Sequence, residues 1–201
     1  MVRVGHLRRA LLVGFGAVAL ATGALAQPKE IKIGVIFDYT GPFAAGGSLA
    51  AAIGTKHAIE MINERGGVEG HRINAIFADA QSRTEVAINE ATRLLEQERV
   101  DLIMGVYSSA HCVPMAQRVN AQRRFMWANV CVASSVFRDR NLEYVFRAQV
   151  HSDQFGEASC TFIHEVAQEK LGRAPRDVRV AIIYEDGPYG SGVAAGNEAK
   201  C

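Results

Sequence analysis

Apolar side chains recur along this chain in two alternating patterns. Residues 31–37 (IKIGVIF), 72–78 and 100–104 (VDLIM) are short β-branched or apolar runs bounded by turn residues, the pattern of strands. The last of these is almost wholly apolar, as expected of a strand buried on both faces of a parallel sheet. Residues 49–65 instead space Ile53, Ile59 and Ile62 for a helix, and Gly66 and Gly67 stop it by accepting left-handed C-cap geometry. Ser82 and Glu85 read as a capping box ahead of a second helix, whose apolar face carries Val86, Ala87, Ala91, Leu94 and Leu95.

The alternation continues with a helix over 111–122, strands over 125–128 and 144–147, and a long helix over 153–170. Residues 178–184 (VRVAIIY) read as a further buried strand, followed by a Gly/Pro turn and the start of another helix. Such β-α alternation predicts right-handed crossovers and an α/β fold built on a doubly wound parallel sheet. The final strand-loop-helix unit has no neighbours to bury it. It is read as the opening of a second unit left incomplete in this chain.

The N-terminus departs from this pattern. Arg3, Arg8 and Arg9 flank an apolar run over 10–20, and Ala24, Leu25 and Ala26 give the small-x-small signal cut by a signal peptidase. A membrane span takes about 20 apolar residues, so the run is short for one. Residues 1–26 are expected to be a cleavable export signal, with an uncleaved anchor as the alternative.

Composition adds little to the fold and more to the exclusions. The 201 residues are 49% hydrophobic, enough for a sizeable core rather than a disordered chain. Without the three leader arginines, 19 basic groups face 21 acidic ones, a net charge of −2. A near-neutral exported chain lacks the positive field needed to hold phosphate backbones, which argues against nucleic-acid binding. Cys112, Cys131, Cys160 and Cys201 form no CxxC pair and have no His at ligand spacing. No metal or cofactor is therefore expected. The four are read as buried apolar thiols, export permitting disulfides without requiring them.

Ligands of open parallel sheets gather at the carboxyl ends of the strands. Here those ends fall at 38–43, 106–110, 129–135 and 185–190. Ser108 and Ser109 stand at a helix start, where hydroxyls, free amides and the helix dipole favour a small carboxylate. One of them capping its own helix is the plainer alternative. Tyr39, Phe43 and Tyr107 are candidate pocket lining or, equally, packing residues. No Gly-x-Ser-x-Gly elbow occupies 106–110, and His57, His71, His111, His151 and His164 lack metal-binding spacing. Gly190, Gly192 and Gly196 have the wrong spacing for a dinucleotide fingerprint. The chain carries no catalytic constellation and is not expected to be an enzyme.

Taken in order, IKIGVIFDYTGPFAAGG, AIEMINERGGVEGHRI, DLIMGVYSSA and VRVAIIYEDGPYGSG resemble the periplasmic substrate-binding proteins of ABC importers in the leucine/isoleucine/valine-binding family. The likeness extends over the whole mature chain. It implies a type I periplasmic binding protein fold, with two doubly wound parallel-sheet lobes hinged around a small ligand. Residues 27–147 would be the first portion of the N-terminal lobe, and 148–201 the start of a truncated second lobe.

The resemblance further implies a monomeric periplasmic receptor that carries a small carboxylate-bearing solute, such as a branched-chain amino acid, to an inner-membrane permease and ATPase. Aromatic acids, short amides and a ligand-sensing role for a signalling partner remain open alternatives. The family's carboxylate-gripping serine falls on Ser109, beside Ser108 and Ala110. Its second loop reads Val130, Cys131, Val132, Ala133, Ser134 and Ser135, which leaves the hydroxyl position to Ala133 or Ser134. The lid tyrosine falls on Tyr189, and the acid that meets a ligand ammonium would lie beyond Cys201. Where some members bridge their early loops, this chain has Gln81 and Ser108, so that bridge is absent.

Overall fold

The computed structural model describes residues 30–201, and the expected export signal at 1–26 lies outside them. Five strands form a single sheet in the order β2-β1-β3-β4-β5: β1 (Glu30–Phe37), β2 (Arg72–Asp79), β3 (Leu102–Gly105), β4 (Phe125–Ala128) and β5 (Val145–Arg147). Every neighbouring pair is parallel, as the doubly wound expectation requires.

Side chains of a strand alternate between faces, and this splits the interior in two. Ile36, Ile103, Met126 and Val145 point to the face covered by α2 (Thr84–Glu96) and α3 (Ser109–Ala121), where they meet Leu94, Leu95, Met115 and Val119. Ile33, Val35 and Phe37 point the other way, to Ala52 and Ile59 of α1 (Leu49–Glu64). Ile53 and Ile62, expected on the buried side of that helix, are exposed. The contact is made by Ala52 and Ile59, its two buried residues. Gly105 closes β3 at φ 116°, where an added Cβ would collide with the Ile36 carbonyl.

Three expectations need correction. The segment 178–184 is neither a strand nor buried, and Ile183 is 98% exposed. A strand needs a partner ladder, and among the described residues none is formed for this one. The capping box expected at Ser82 is absent: α2 starts at Thr84, and its N-cap residue Arg83 makes no side-chain cap. A capping box does form at α4 (Ser152–Val166), between His151 and Gln154. Nor are the cysteines thiols. Cys112 is bridged to Cys131 and Cys160 to Cys201, with Cα separations of 6.3 and 5.3 Å, in the range a bridge needs. Packing α4 against α5 (Pro188–Lys200) brings the second pair together, while the start of α3 lies over the β4 exit and brings the first.

Candidate functional site

The turn from β3 into α3 is built around strain. Val106 is a β-branched residue at φ 67°, held by its own N–H to the Ile36 carbonyl (3.0 Å) and by the Cys131 N–H to its carbonyl (3.2 Å). The turn delivers Tyr107, Ser108 and Ser109 to the carboxyl edge of the sheet. Ser108 is the N-cap of α3, its Oγ accepting the Ala110 N–H at 3.2 Å. The capping alternative therefore holds for Ser108 and leaves the Ser109 side chain for another task. Ser109 Oγ accepts the Ala133 N–H at 3.2 Å, and its own proton remains to be donated. The Tyr107 hydroxyl donates to the Gly46 carbonyl at 2.5 Å, pinning the loop after β1.

That loop is braced from below. Ser82, freed from capping, accepts the Phe43 N–H through Oγ (2.9 Å) and donates to the Thr40 carbonyl (3.1 Å), while its N–H donates to Asp38 Oδ1 (2.8 Å). Gly41, at φ 82°, leaves room for this serine, since a Cβ there would stand 2.6 Å from Ser82 Oγ. Burial pushes the Asp79 carboxyl up, but hydrogen bonds from the Thr40 hydroxyl and the Gln81, Tyr39 and Thr40 amides outweigh it and hold the group below its ordinary range. Asp38 and His111 are buried side by side, with His111 Nδ1 3.7 Å from Asp38 Oδ1. Burial pushes the His111 imidazole below its ordinary range against the opposing pull of Asp38 and Glu85. The His111 ring also meets the Phe43 ring edge-on, at 5.5 Å between centroids.

The β4 exit loop is tied to the start of α4. Arg147 donates to the Ala133 carbonyl at 2.8 Å and stacks on Phe137, and its burial pushes the guanidinium down despite Asp153. Ser134 donates to Asp153, whose carboxyl this bond, above all, holds low, with Arg138 adding its charge. Ser152 Oγ lies 3.1 Å from Ser134 Oγ and accepts the Ser134 N–H at the same distance.

These loops enclose a cavity of about 480 Å³. One wall comes from the sheet's carboxyl edge: Phe43 and Gly46 after β1, Tyr107, Ser108 and Ser109 after β3, Val130 and Val132 after β4. A second set of lining residues comes from Gln149, Phe155 of α4, Glu185 in the turn before α5, and Tyr189 in its first turn. Of the sequence-derived candidates, Ser108, Ser109, Tyr189, Phe43 and Tyr107 line it together. Ala110 does not, and gives its amide to Ser108. Cys131 and Ala133 are buried behind the wall, Ser134 is spent on Asp153, and Tyr39 turns its N–H to Asp79. Sequence reasoning missed Gly46, Val130, Val132, Gln149, Phe155 and Glu185. Glu185 is the one charged side chain among the described residues that line the cavity, and its Oε2 accepts the Gly190 N–H at 2.9 Å.

The family described as periplasmic binding protein matches residues 30–200. Leu/Ile/Val-binding protein homolog 7 of Brucella melitensis is 34% identical over 187 residues, 93% of this chain and 46% of that protein. The branched-chain amino acid transporter substrate binding protein LivJ of Streptococcus pneumoniae, in complex with isoleucine, superposes with a TM-score of 0.70 at 22% identity, over 86% of this chain and 47% of that one. A solute binding protein from R. palustris, in complex with 4-hydroxybenzoate, gives 0.69 at 21% identity, over 86% and 43%. These two likenesses concern the fold. The chain spans about half the length of the relatives it matches.

Proposed function

The chain belongs to the periplasmic binding protein family, and from that premise we propose that it captures a small amino acid between the two walls of its cavity for delivery to an ABC permease. Capture takes place in the periplasm, after export on the segment 1–26, by a monomer. Residues 30–147 supply the first lobe's wall and 148–201 the beginning of the second's. Ligand contacts made only when the walls approach shift the population toward the closed form.

The observation that carries this reading is the cavity's polarity. The start of α3 offers the Ser109 hydroxyl and the positive end of the helix dipole to a carboxylate. Across from it, Glu185 supplies a negative charge and no lining residue supplies a positive one. An α-amino acid matches both ends, its carboxylate at Ser109 and its ammonium at Glu185, which on this reading takes the part that the resemblance gives to an acid beyond Cys201. Phe43, Val130, Val132 and Phe155 give an apolar side chain somewhere to lie, and Tyr189 covers it. Catalysis has no part in this arrangement.

Aromatic acids are the second reading. The ring-rich lining and the 4-hydroxybenzoate held by one structural neighbour favour them. An acid without an ammonium, however, meets Glu185 uncompensated. Calorimetry separates the two. Isoleucine is expected to bind saturably and more tightly than 4-hydroxybenzoate, and Glu185→Gln to weaken isoleucine by about tenfold, roughly the worth of one charged hydrogen bond. Tight binding of the aromatic acid with no heat from isoleucine reverses the assignment.

A further inference from the structure

We propose that the Cys112–Cys131 bridge is a positioning element of the cavity, fixing the start of α3 against the β4 exit loop so that Ser109, Val130 and Val132 face one ligand. The inference rests on the solute-binding reading above and adds to it the group that keeps one wall assembled. Cys112 follows Ser109 by three residues in the first turn of α3. Cys131 sits between Val130 and Val132, both of which line the cavity. A single covalent bond therefore joins the polar and apolar halves of the same wall.

The hydrogen bonds that cross this junction are long. The Ala133 N–H to Ser109 Oγ and the Cys131 N–H to the Val106 carbonyl are both 3.2 Å, at the long end of the hydrogen-bond range. Val106, which accepts the second, keeps a left-handed conformation that a β-branched residue holds only where its surroundings over-determine it. Without the bridge, the β4 loop is free to withdraw its bond and let the β3 turn relax. Both cysteines are buried, so the role is geometric rather than that of a surface thiol switch. Cross-linking the wall before the ligand arrives lowers the ordering cost that binding otherwise meets. The second bridge, Cys160–Cys201, ties α4 to the end of α5 and lines no part of this cavity, which makes it an internal control.

The test is calorimetry on the full chain with isoleucine and 4-hydroxybenzoate, at a temperature where circular dichroism shows each variant folded. Cys112→Ala with Cys131→Ala is expected to weaken whichever ligand binds by about tenfold, the scale on which lost preorganisation acts, mainly through faster dissociation. Cys160→Ala with Cys201→Ala should melt earlier yet keep its affinity within about twofold, as expected of a site it does not touch. Cys112→Ala with Cys131→Val refills the space and separates lost packing from the lost tie. Wild-type affinity in a folded variant lacking the 112–131 bridge overturns the inference, as does an equal loss in both bridge variants. Hydrogen exchange of the unaltered chain gives a reading independent of any variant. The Ala110 and Ala133 amides should be protected before ligand is added, and large ligand-induced protection there also overturns it. If neither ligand binds the unaltered chain, the solute-binding reading itself fails and the inference falls with it.

Discussion

Ser109 performs two tasks with one hydroxyl. Its oxygen receives the Ala133 amide, which fixes the rotamer, and its proton is left for the cavity. Ser109→Ala therefore removes a donor to the ligand and a brace of the wall together. A loss of at least about tenfold in affinity is expected, near the worth of one charge-assisted hydrogen bond, and an unchanged calorimetric isotherm removes Ser109 from the site. His111, two residues further along α3 and fully buried, carries a different consequence. Its imidazole binds a proton less readily in the folded chain than in the unfolded one, where the ordinary value of 6.5 applies. Below about pH 6.5 the unfolded state takes up a proton that the folded state resists, so stability falls with pH until the lowered folded value is passed. Urea denaturation between pH 7.5 and 5.5 should show this decline, and His111→Leu should flatten it. Equal slopes in the two proteins would contradict the assignment.

Among the elements, those with internal cues are the ones the sequence reveals. The apolar run that ends β1, the short β3 and the glycine stop after α1 each carry their signal locally; β1 and the stop lie where expected, and β3 begins two residues later, at Leu102. Elements defined by a distant partner do not. Residues 178–184 have the composition of a buried strand, yet composition does not supply a neighbouring ladder. Ser82 has capping chemistry and a glutamate three residues on, but Phe43 and Asp38, about 40 positions away, claim its hydrogen bonds instead. That use is open to test. Ser82→Ala strands the Phe43 amide and should cost roughly 1–2 kcal/mol of stability by the ordinary worth of such a bond. A capping residue would lose helix content in α2, whereas this one should leave circular dichroism unchanged while loosening the Phe43 loop.

At the scale of the whole molecule, the fold was more legible than the site. Alternation of strand and helix specifies a parallel sheet, and ligands of such sheets meet its carboxyl edge, which is where the cavity lies. That rule reaches Ser108, Ser109, Phe43 and Tyr107, all of which line the cavity. In the β4 loop, side chains of extended backbone alternate, so Val130 and Val132 line the cavity while the small residues Cys131 and Ala133 are buried behind it; Ser134 opens a one-turn helix and is bonded to Asp153. Glu185 was legible as an acid at the end of an apolar run, beside the turn that carries Tyr189. Nothing local says which side of the cavity that turn will face. Phe155 and Gln149 come from the crossing into α4 and carry no signal of their own.

In the proposed capture, one solute touches both walls at once. Amide chemical shifts recorded during a titration with isoleucine report on each wall separately. Ser109, Ala110 and Val132 on the sheet side, and Phe155, Glu185 and Gly190 on the other, should all shift along curves with a single dissociation constant. Shifts confined to one wall, or curves with two different constants, would contradict it.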